Sequence, residues 1–222
     1  MKKYLILILV LVIPSVGYLL LQTGHNEFHT LEILGPKDPV LKTINGRDVV
    51  DTVYHTIGTF SLTDADSNRI TGAVMDGKIC VVDFFFTSCK TICPKMSNQL
   101  MRVQHKFRDR EDVNILSFTV DPLNDTPSRL REYALKHKAV AGKWHFITGE
   151  KDSIYNLAKT SFFLTAMEGG GGADAFLHSD QFLLIDKKKR IRGYYDGTDQ
   201  FEVKKLIEDI NVLTKAYAEG KE

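Results

Sequence analysis

The chain lacks a charge excess of either sign: 29 lysines and arginines stand against 28 aspartates and glutamates, a formal net charge of +1. Nucleic-acid binders need a strongly basic surface to neutralise phosphates, so nucleic acid is excluded as a partner. Cysteine is scarce, with three in 222 residues, and the odd number excludes complete pairing. Cys89 and Cys93 are close while Cys80 stands apart, so any pairing is local. No internal repeat is visible, and low complexity is confined to the run Gly169, Gly170, Gly171 and Gly172. What is present is 43% apolar residues, enough for one core of ordinary size plus an appendage.

The appendage is expected at the start. Lys2 and Lys3 precede an apolar run over residues 4–21, which as a helix at about 1.5 Å per residue spans roughly 27 Å, close to a bilayer's hydrocarbon thickness. Pro14 is tolerable there because a membrane helix can re-satisfy the freed backbone group locally. Ser15 and Gly17 offer small residues for a signal cleavage, but Tyr18, Leu19, Leu20 and Leu21 behind them suit an anchor better. The expected organisation is a cytoplasmic tail over 1–3, a single transmembrane helix over 4–21, a tether over 22–51 and a folded domain over 52–218, lying outside the cytoplasm. The missing arginine-rich transit segment favours a bacterial inner membrane with the domain facing the periplasm.

Within the domain, alternation over 52–62, the polar cluster 64–68 and an apolar stretch over 70–74 predict a hairpin. Asp64 and Asp66 superficially suggest a calcium loop, but the glycine and closing glutamate of that motif are missing at the required spacing, which leaves a plain turn. Residues 79–86 form a nearly continuous apolar run, a strand buried on both faces. A helix over 94–107 with Met96, Leu100, Met101 and Val103 inward is expected next, then a second buried strand over 113–120. Thr126 and Pro127 predict a cap and first turn for a helix to about residue 137. A strand over 144–148, a helix over 151–159 capped by Asp152 or Ser153, strands over 181–185 and 190–195, and a closing helix over 200–217 with Phe201, Val203, Leu206, Ile207, Ile210 and Leu213 spaced for one apolar face complete the pattern. Helices alternating with strands, then a hairpin and a last helix, predict an α/β sandwich of thioredoxin type with an N-terminal β-hairpin extension.

Cys89 and Cys93 flank the hand-over from a buried strand to a helix, whose N-terminal partial charge favours thiolate. Their spacing of four predicts one helical face and Cα atoms about 6 Å apart, within reach of a disulfide. Such a pair in an exported protein can be a structural bridge, a redox couple or a metal site. Cys80, between Ile79 and Val81, reads as a small buried residue. Two soft thiolates select Cu(I), zinc or iron–sulfur chemistry, and an imidazole would complete a three-coordinate copper site that also supports Cu(II). Spacing does not choose among His25, His29, His55, His105, His137, His145 and His178. His178 stands out by context, because it follows the glycine run and immediately precedes the strand over 181–185.

Residues 82–96, VDFFFTSCKTICPKM, resemble the strand, metal-binding turn and following helix of the Sco/SenC family of copper chaperones for cytochrome c oxidase. FTVDP at 118–122 with Asp125, Thr126 and Pro127 is similar to the family's second strand and helix start, and residues 144–149 to its next strand and turn. Leu177, His178 and Ser179, leading into 183–186, resemble the segment that supplies the family's histidine. The match runs from about residue 59 to 211. It implies copper, as Cu(I) or Cu(II), held by Cys89, Cys93 and His178. The implied partners are the copper-bearing subunit of cytochrome c oxidase, other copper carriers and thioredoxin-like reductants. The glycines and Ala173, Asp174, Ala175 and Phe176 ahead of His178 depart from the usual family form.

The main rival is a thiol-disulfide oxidoreductase using the same two cysteines as nucleophile and resolving thiol. Those enzymes usually hold two residues between the cysteines and a cis-proline opposite them, whereas no proline follows Pro127 here. A peroxidase reading rests on Thr87 alone, and a structural or adhesion module leaves His178 without a task. Asp121 and Pro122 are expected to end a strand, Asp125 with Thr126 to cap a helix, and Lys187, Lys188, Lys189 and Arg190 to form a solvated turn.

Overall fold

The computed structural model describes residues 11–16, 18, 30–44, 47–164 and 179–222. The chain divides into two units, Met1–Thr30 and Leu31–Glu222. In the first, residues 11–16 and 18 are helical. Most of the expected anchor over 4–21 lies outside the described residues, and among those described no helix is long and apolar enough to cross a membrane.

The second unit opens with a departure from the sequence reading. Where a tether is expected to 51 and a strand over 52–62, residues Lys37–Ile44 (β1) and Arg47–Tyr54 (β2) pair antiparallel as a separate two-stranded sheet. Cross-strand couples such as Leu41 opposite Val50 stabilise it locally. The expected hairpin follows further on, as Ser61–Asp64 (β3) against Arg69–Thr71 (β4). Its turn is built by the Asp64 carboxylate, whose Oδ1 accepts from the N–H groups of Asp66 and Asn68. That is the plain polar turn the sequence predicts. Residues Gly72–Met75 then wind into a 3-10 turn instead of continuing the strand, with Thr71 accepting from Ala73 N–H.

The remaining elements are Ile79–Phe85 (β5), Ile92–Lys106 (α1), Val113–Thr119 (β6), Pro127–Lys136 (α2), Trp144–Thr148 (β7), Lys151–Thr160 (α3), Gln181–Ile185 (β8), Ile191–Asp196 (β9) and Gln200–Ala218 (α4). Strands β3 to β9 form one sheet in the order β4-β3-β7-β6-β5-β8-β9. Its centre, β5, β6 and β7, is parallel, and β3, β8 and β9 are antiparallel to their neighbours. Every residue of β5 and β6 is buried, which explains why their sequences run apolar instead of alternating.

The pleat sorts these residues into two cores. Ile79, Val81 and Phe85 of β5 face Met96, Leu100 and Val103 of α1, Leu130 and Tyr133 of α2, and Val203, Leu206 and Ile210 of α4. Cys80, Val82 and Phe84 face the opposite side, where Ile154, Leu157 and Ala158 of α3 cover them. Burying one such aliphatic side chain contributes about 1.5–3 kcal/mol, so both layers are needed to hold the central strands. Cys80 lies in the α3 core, fully buried, and burial pushes its thiol up to about 12. It is the inert small residue expected.

Two local expectations about helix starts fail. Neither Asp152 nor Ser153 caps α3, because Glu150 occupies the cap position and makes no side-chain cap bond. Phe201, assigned to the inward face of α4, is 73% exposed, since Asp199 caps the helix and the first inward position is Val203.

Candidate metal centre

Strand β5 ends at Phe85, and the chain turns sharply before α1 begins at Ile92. In that turn Cys89 N–H donates to the Phe86 carbonyl at 3.3 Å. Cys89 therefore precedes the helix, and the pair is not displayed on one helical face as its spacing predicts. Cys93, in the first turn of α1, instead donates its backbone N–H to Cys89 Sγ at 3.4 Å. The Thr91 hydroxyl lies 3.8 Å from the same sulfur. Both cysteines are free thiols, 9% and 3% exposed respectively.

The two sulfurs differ sharply in acidity. Burial pushes the Cys89 thiol up, but hydrogen bonds from Cys93 and Thr91 outweigh it and bring the group down to about 7. At Cys93 burial prevails: a hydrogen bond with the Phe86 backbone lowers the thiol, but desolvation, with the Cys89 sulfur and the Asp83 carboxylate adding to it, drives it to about 12. The sequence predicts thiolate character for both. The structure gives it to Cys89 alone, because desolvation outweighs the helix terminus at the deeper residue.

Beneath the pair lies a polar layer inside the α1–α2 core. The Asp83 carboxyl accepts from the Ser117 hydroxyl, and Ser117 accepts from Trp144 Nε1 at 2.8 Å. Burial raises Asp83 to about 7. The Tyr133 hydroxyl meets Ser97 Oγ at 2.8 Å, and its ring packs 5.1 Å from Phe85 and 4.5 Å from His137. Burial raises Tyr133 as well, and negative charge at Cys93 and Asp83 would add to that.

His178 and the glycine run lie outside the described residues, as do His25 and His29. Two residues beyond His178, Asp180 is in place: its carbonyl accepts from Gly197 N–H at 2.6 Å. Strand β8 enters the sheet at the end where β5 leaves it, as the antiparallel pairing of Val82 with Leu183 requires. Among the described histidines, His55 Nε2 bonds the Ser161 carbonyl at 2.9 Å, and His137 and His145 each bury an Nε2 without a hydrogen-bond partner. Among the described residues no group of three or more His, Cys, Asp and Glu side chains could hold a metal ion.

Sequence reasoning missed Asp125. Expected to cap α2 beside Thr126, it leaves the cap to Thr126, which accepts from Arg129 N–H at 3.4 Å. Asp125 turns inward, fully buried, and accepts from Thr87 N–H at 3.0 Å, from the Thr87 hydroxyl and from the Thr119 hydroxyl at 2.5 Å. Two cap-type residues in succession, where one suffices, were the available signal. The run from Lys187 to Arg190 also departs from expectation. Lys187 pairs with Asp112 at 2.8 Å and Lys189 with Asp76 at 2.6 Å, while Arg190 is buried against Asp186 and Glu222.

A family model described as SCO1/SenC matches residues 50–215. The chain is 27% identical over 166 residues to the SCO1 protein homolog of Bacillus subtilis, covering 74% of this chain and 86% of that one. It is 29% identical over 181 residues to the mitochondrial protein SCO2 of Saccharomyces cerevisiae, covering 78% of this chain and 57% of the yeast protein. A SCO1/SenC family lipoprotein from Bacillus anthracis superposes with a TM-score of 0.63 at 28% identity, over 72% of this chain and 95% of that one. BsSco, described as having a disulfide switch and as a member of the Sco family of cytochrome c oxidase assembly proteins, gives 0.61 at 28% identity, over 72% and 93%. Yeast Sco1 solved with copper bound gives 0.55 at 26% identity, over 76% and 95%.

Proposed function

The chain belongs to the SCO1/SenC family, and on that premise we propose that it carries copper, as Cu(I) or Cu(II), on Cys89, Cys93 and His178 and supports assembly of the copper centre of cytochrome c oxidase. Copper is cargo here, to be taken up and released. The observation that carries the reading is the pairing of the two sulfurs at the mouth of the sheet, joined by the Cys93 N–H···Sγ contact. The donor set fits: two sulfurs, one of them acidic, suit a soft ion, and an imidazole completes the coordination. His178 lies three residues ahead of Gln181, where β8 starts at the end of the sheet that bears Cys89. Relatives solved with copper, from yeast and Arabidopsis thaliana, share 26% and 25% identity with this chain.

In this reading residues 4–21 anchor the protein in a bacterial inner membrane and the domain faces the periplasm. The partner that receives the metal is the oxidase's copper-bearing subunit, with other copper carriers and thioredoxin-like reductants acting upstream. Anaerobic titration of the purified protein with copper tests the cargo: one equivalent should bind wild type and Cys80→Ala, and neither Cys89→Ala nor Cys93→Ala should retain it against a chelating competitor. Full retention by either single-cysteine variant would overturn the assignment.

A second reading is favoured by the unequal acidity of the pair. Cys89, brought down to about 7, is suited to attack a disulfide, and the buried Cys93 to resolve the mixed disulfide that forms. The same two sulfurs would then reduce partner cysteines before metal is delivered, and the two activities are compatible on one site.

A further inference from the structure

We infer that Asp125 is a positioning residue for the cysteine pair: its buried carboxylate pins Thr87, two residues ahead of Cys89, and thereby fixes the turn on which the Cys93 N–H···Sγ contact depends. The inference deepens the copper reading and rests on it for its biological meaning, although its chemistry concerns the dithiol itself.

A fully buried carboxylate is costly unless it is hydrogen-bonded. Among the described residues, the hydrogen-bond donors to Asp125 are Thr87 N–H, Thr87 Oγ1–H and Thr119 Oγ1–H, with no lysine or arginine among them. Such an acid is stable only while those donors stay in place, so acid and turn order one another. Thr87 is held through both backbone and side chain, which leaves it no freedom to rotate. On one side of it, the Phe85 carbonyl accepts from Val120 N–H at 2.8 Å; on the other, the Phe86 carbonyl accepts from Cys89 N–H at 3.3 Å.

Asp125 is itself fixed from behind. Its N–H donates to the Asp121 carbonyl at 2.9 Å, the Asp121 N–H donates to Thr119 Oγ1 at 3.0 Å, and Asn124 Nδ2 bridges both oxygens of the Asp121 carboxylate at 3.0 Å. The loop between β6 and α2 and the turn between β5 and α1 thus form one hydrogen-bonded body. That body delivers Cys89 Sγ to the N–H of Cys93. Nothing in helix capping requires this, since Thr126 already caps α2.

Thiols held in a favourable reduced geometry resist oxidation, because a stabilised reduced form makes a dithiol couple more oxidising. Releasing Thr87 should therefore move the pair toward its disulfide. The test uses the full chain in detergent, with Thr87→Val and Asp125→Asn compared with the remote core truncation Leu157→Ala, which lowers stability on the other side of the sheet. In metal-free glutathione buffer, one oxidised glutathione takes two electrons and two protons from Cys89 and Cys93, giving one protein disulfide and two reduced glutathiones.

We expect both site variants to shift this equilibrium toward disulfide on the order of tenfold, and to weaken Cu(I) binding by about 10–100-fold in competition with a chelator. Leu157→Ala should leave both unchanged. The inference is overturned if Thr87→Val, folded and alone, keeps the wild-type equilibrium within about twofold, or if Leu157→Ala shifts it equally. Should Asp125→Asn fail to fold, Thr87→Val decides. Should wild type bind no copper, the functional reading falls while the glutathione measurement still judges Asp125.

Discussion

Cys89 and Cys93 are chemically different residues although they carry the same group. One backbone N–H and the Thr91 contacts lower the first, and burial raises the second. Because the thiolate is the reactive form, the rate of Cys89 alkylation by iodoacetamide should rise with pH, reach half its plateau near pH 7, and level off by about pH 8–9. Cys93 and Cys80 should stay unmodified until the protein unfolds. Mass-mapped alkylation from pH 5 to 10 checks this, and equal reaction of Cys89 and Cys93 near pH 9 would contradict it. The pair itself was legible in the sequence, as two cysteines after a buried strand. Its asymmetry was not, because that depends on how strongly the fold desolvates each sulfur and how many hydrogen bonds each receives, and neither is encoded in spacing. Asp125 escaped for a related reason: a short acid before a threonine reads as a cap until the loop is seen to turn it inward.

Among the elements, the strands and helices with strong periodicity were legible nearly to the residue. Gln181–Ile185 and Trp144–Thr148 coincide with expectation, since short apolar runs bounded by turn residues admit few alternatives. The hairpin β1–β2 was not foreseen, although Asn45 and Gly46 between two stretches rich in valine and threonine are a recognised hairpin signal. Its exposed Val40, Leu41, Val49, Val50 and Val53 contribute no inward face, so a search for burial periodicity passes over it. The turn between β8 and β9 was misjudged in the opposite sense, as solvated, when it carries a buried ion network. Arg192, 4% exposed, donates to Asp186 at 2.9 Å and to Glu222 at 2.5 Å, and to the backbone carbonyls of Leu31 and Glu32. Burial disfavours the charged carboxylates, but the two arginines prevail and hold both acids below their usual range. Acids depressed in this way add stability that is complete above the ordinary carboxylate range and is lost progressively as pH falls below it, through their depressed folded-state range. Arg192→Met should therefore lower stability by about 1.5–3 kcal/mol at pH 7, because Asp186 and Glu222 each lose one charged hydrogen-bond partner and keep only Arg190. The gap to wild type should narrow below pH 4. Denaturant midpoints at pH 7 and pH 3.5 measure both, and a loss at pH 7 below about 1 kcal/mol would contradict the account.

At the scale of the molecule, topology does what no single element can. The parallel pairing of β5 with β6 and the antiparallel pairing of β5 with β8 bring the Cys89 turn, the Asp125 loop and the start of β8 to one end of the sheet. The α/β sandwich was legible from the alternation of elements, and the order of strands follows from short connections and from helical crossovers that use both faces of the sheet. That the Cys89 turn and the start of β8, far apart in sequence, meet at one end of the sheet was legible only once a fold was assumed, because local patterning carries no information about which loops meet. The central claim is that His178 joins the two sulfurs on one copper ion. X-ray absorption at the copper edge of the loaded protein tests it most directly. The account predicts two sulfur scatterers and one imidazole for wild type, with the imidazole signal lost in His178→Ala while both sulfurs remain; an unchanged imidazole signal in that variant would contradict it.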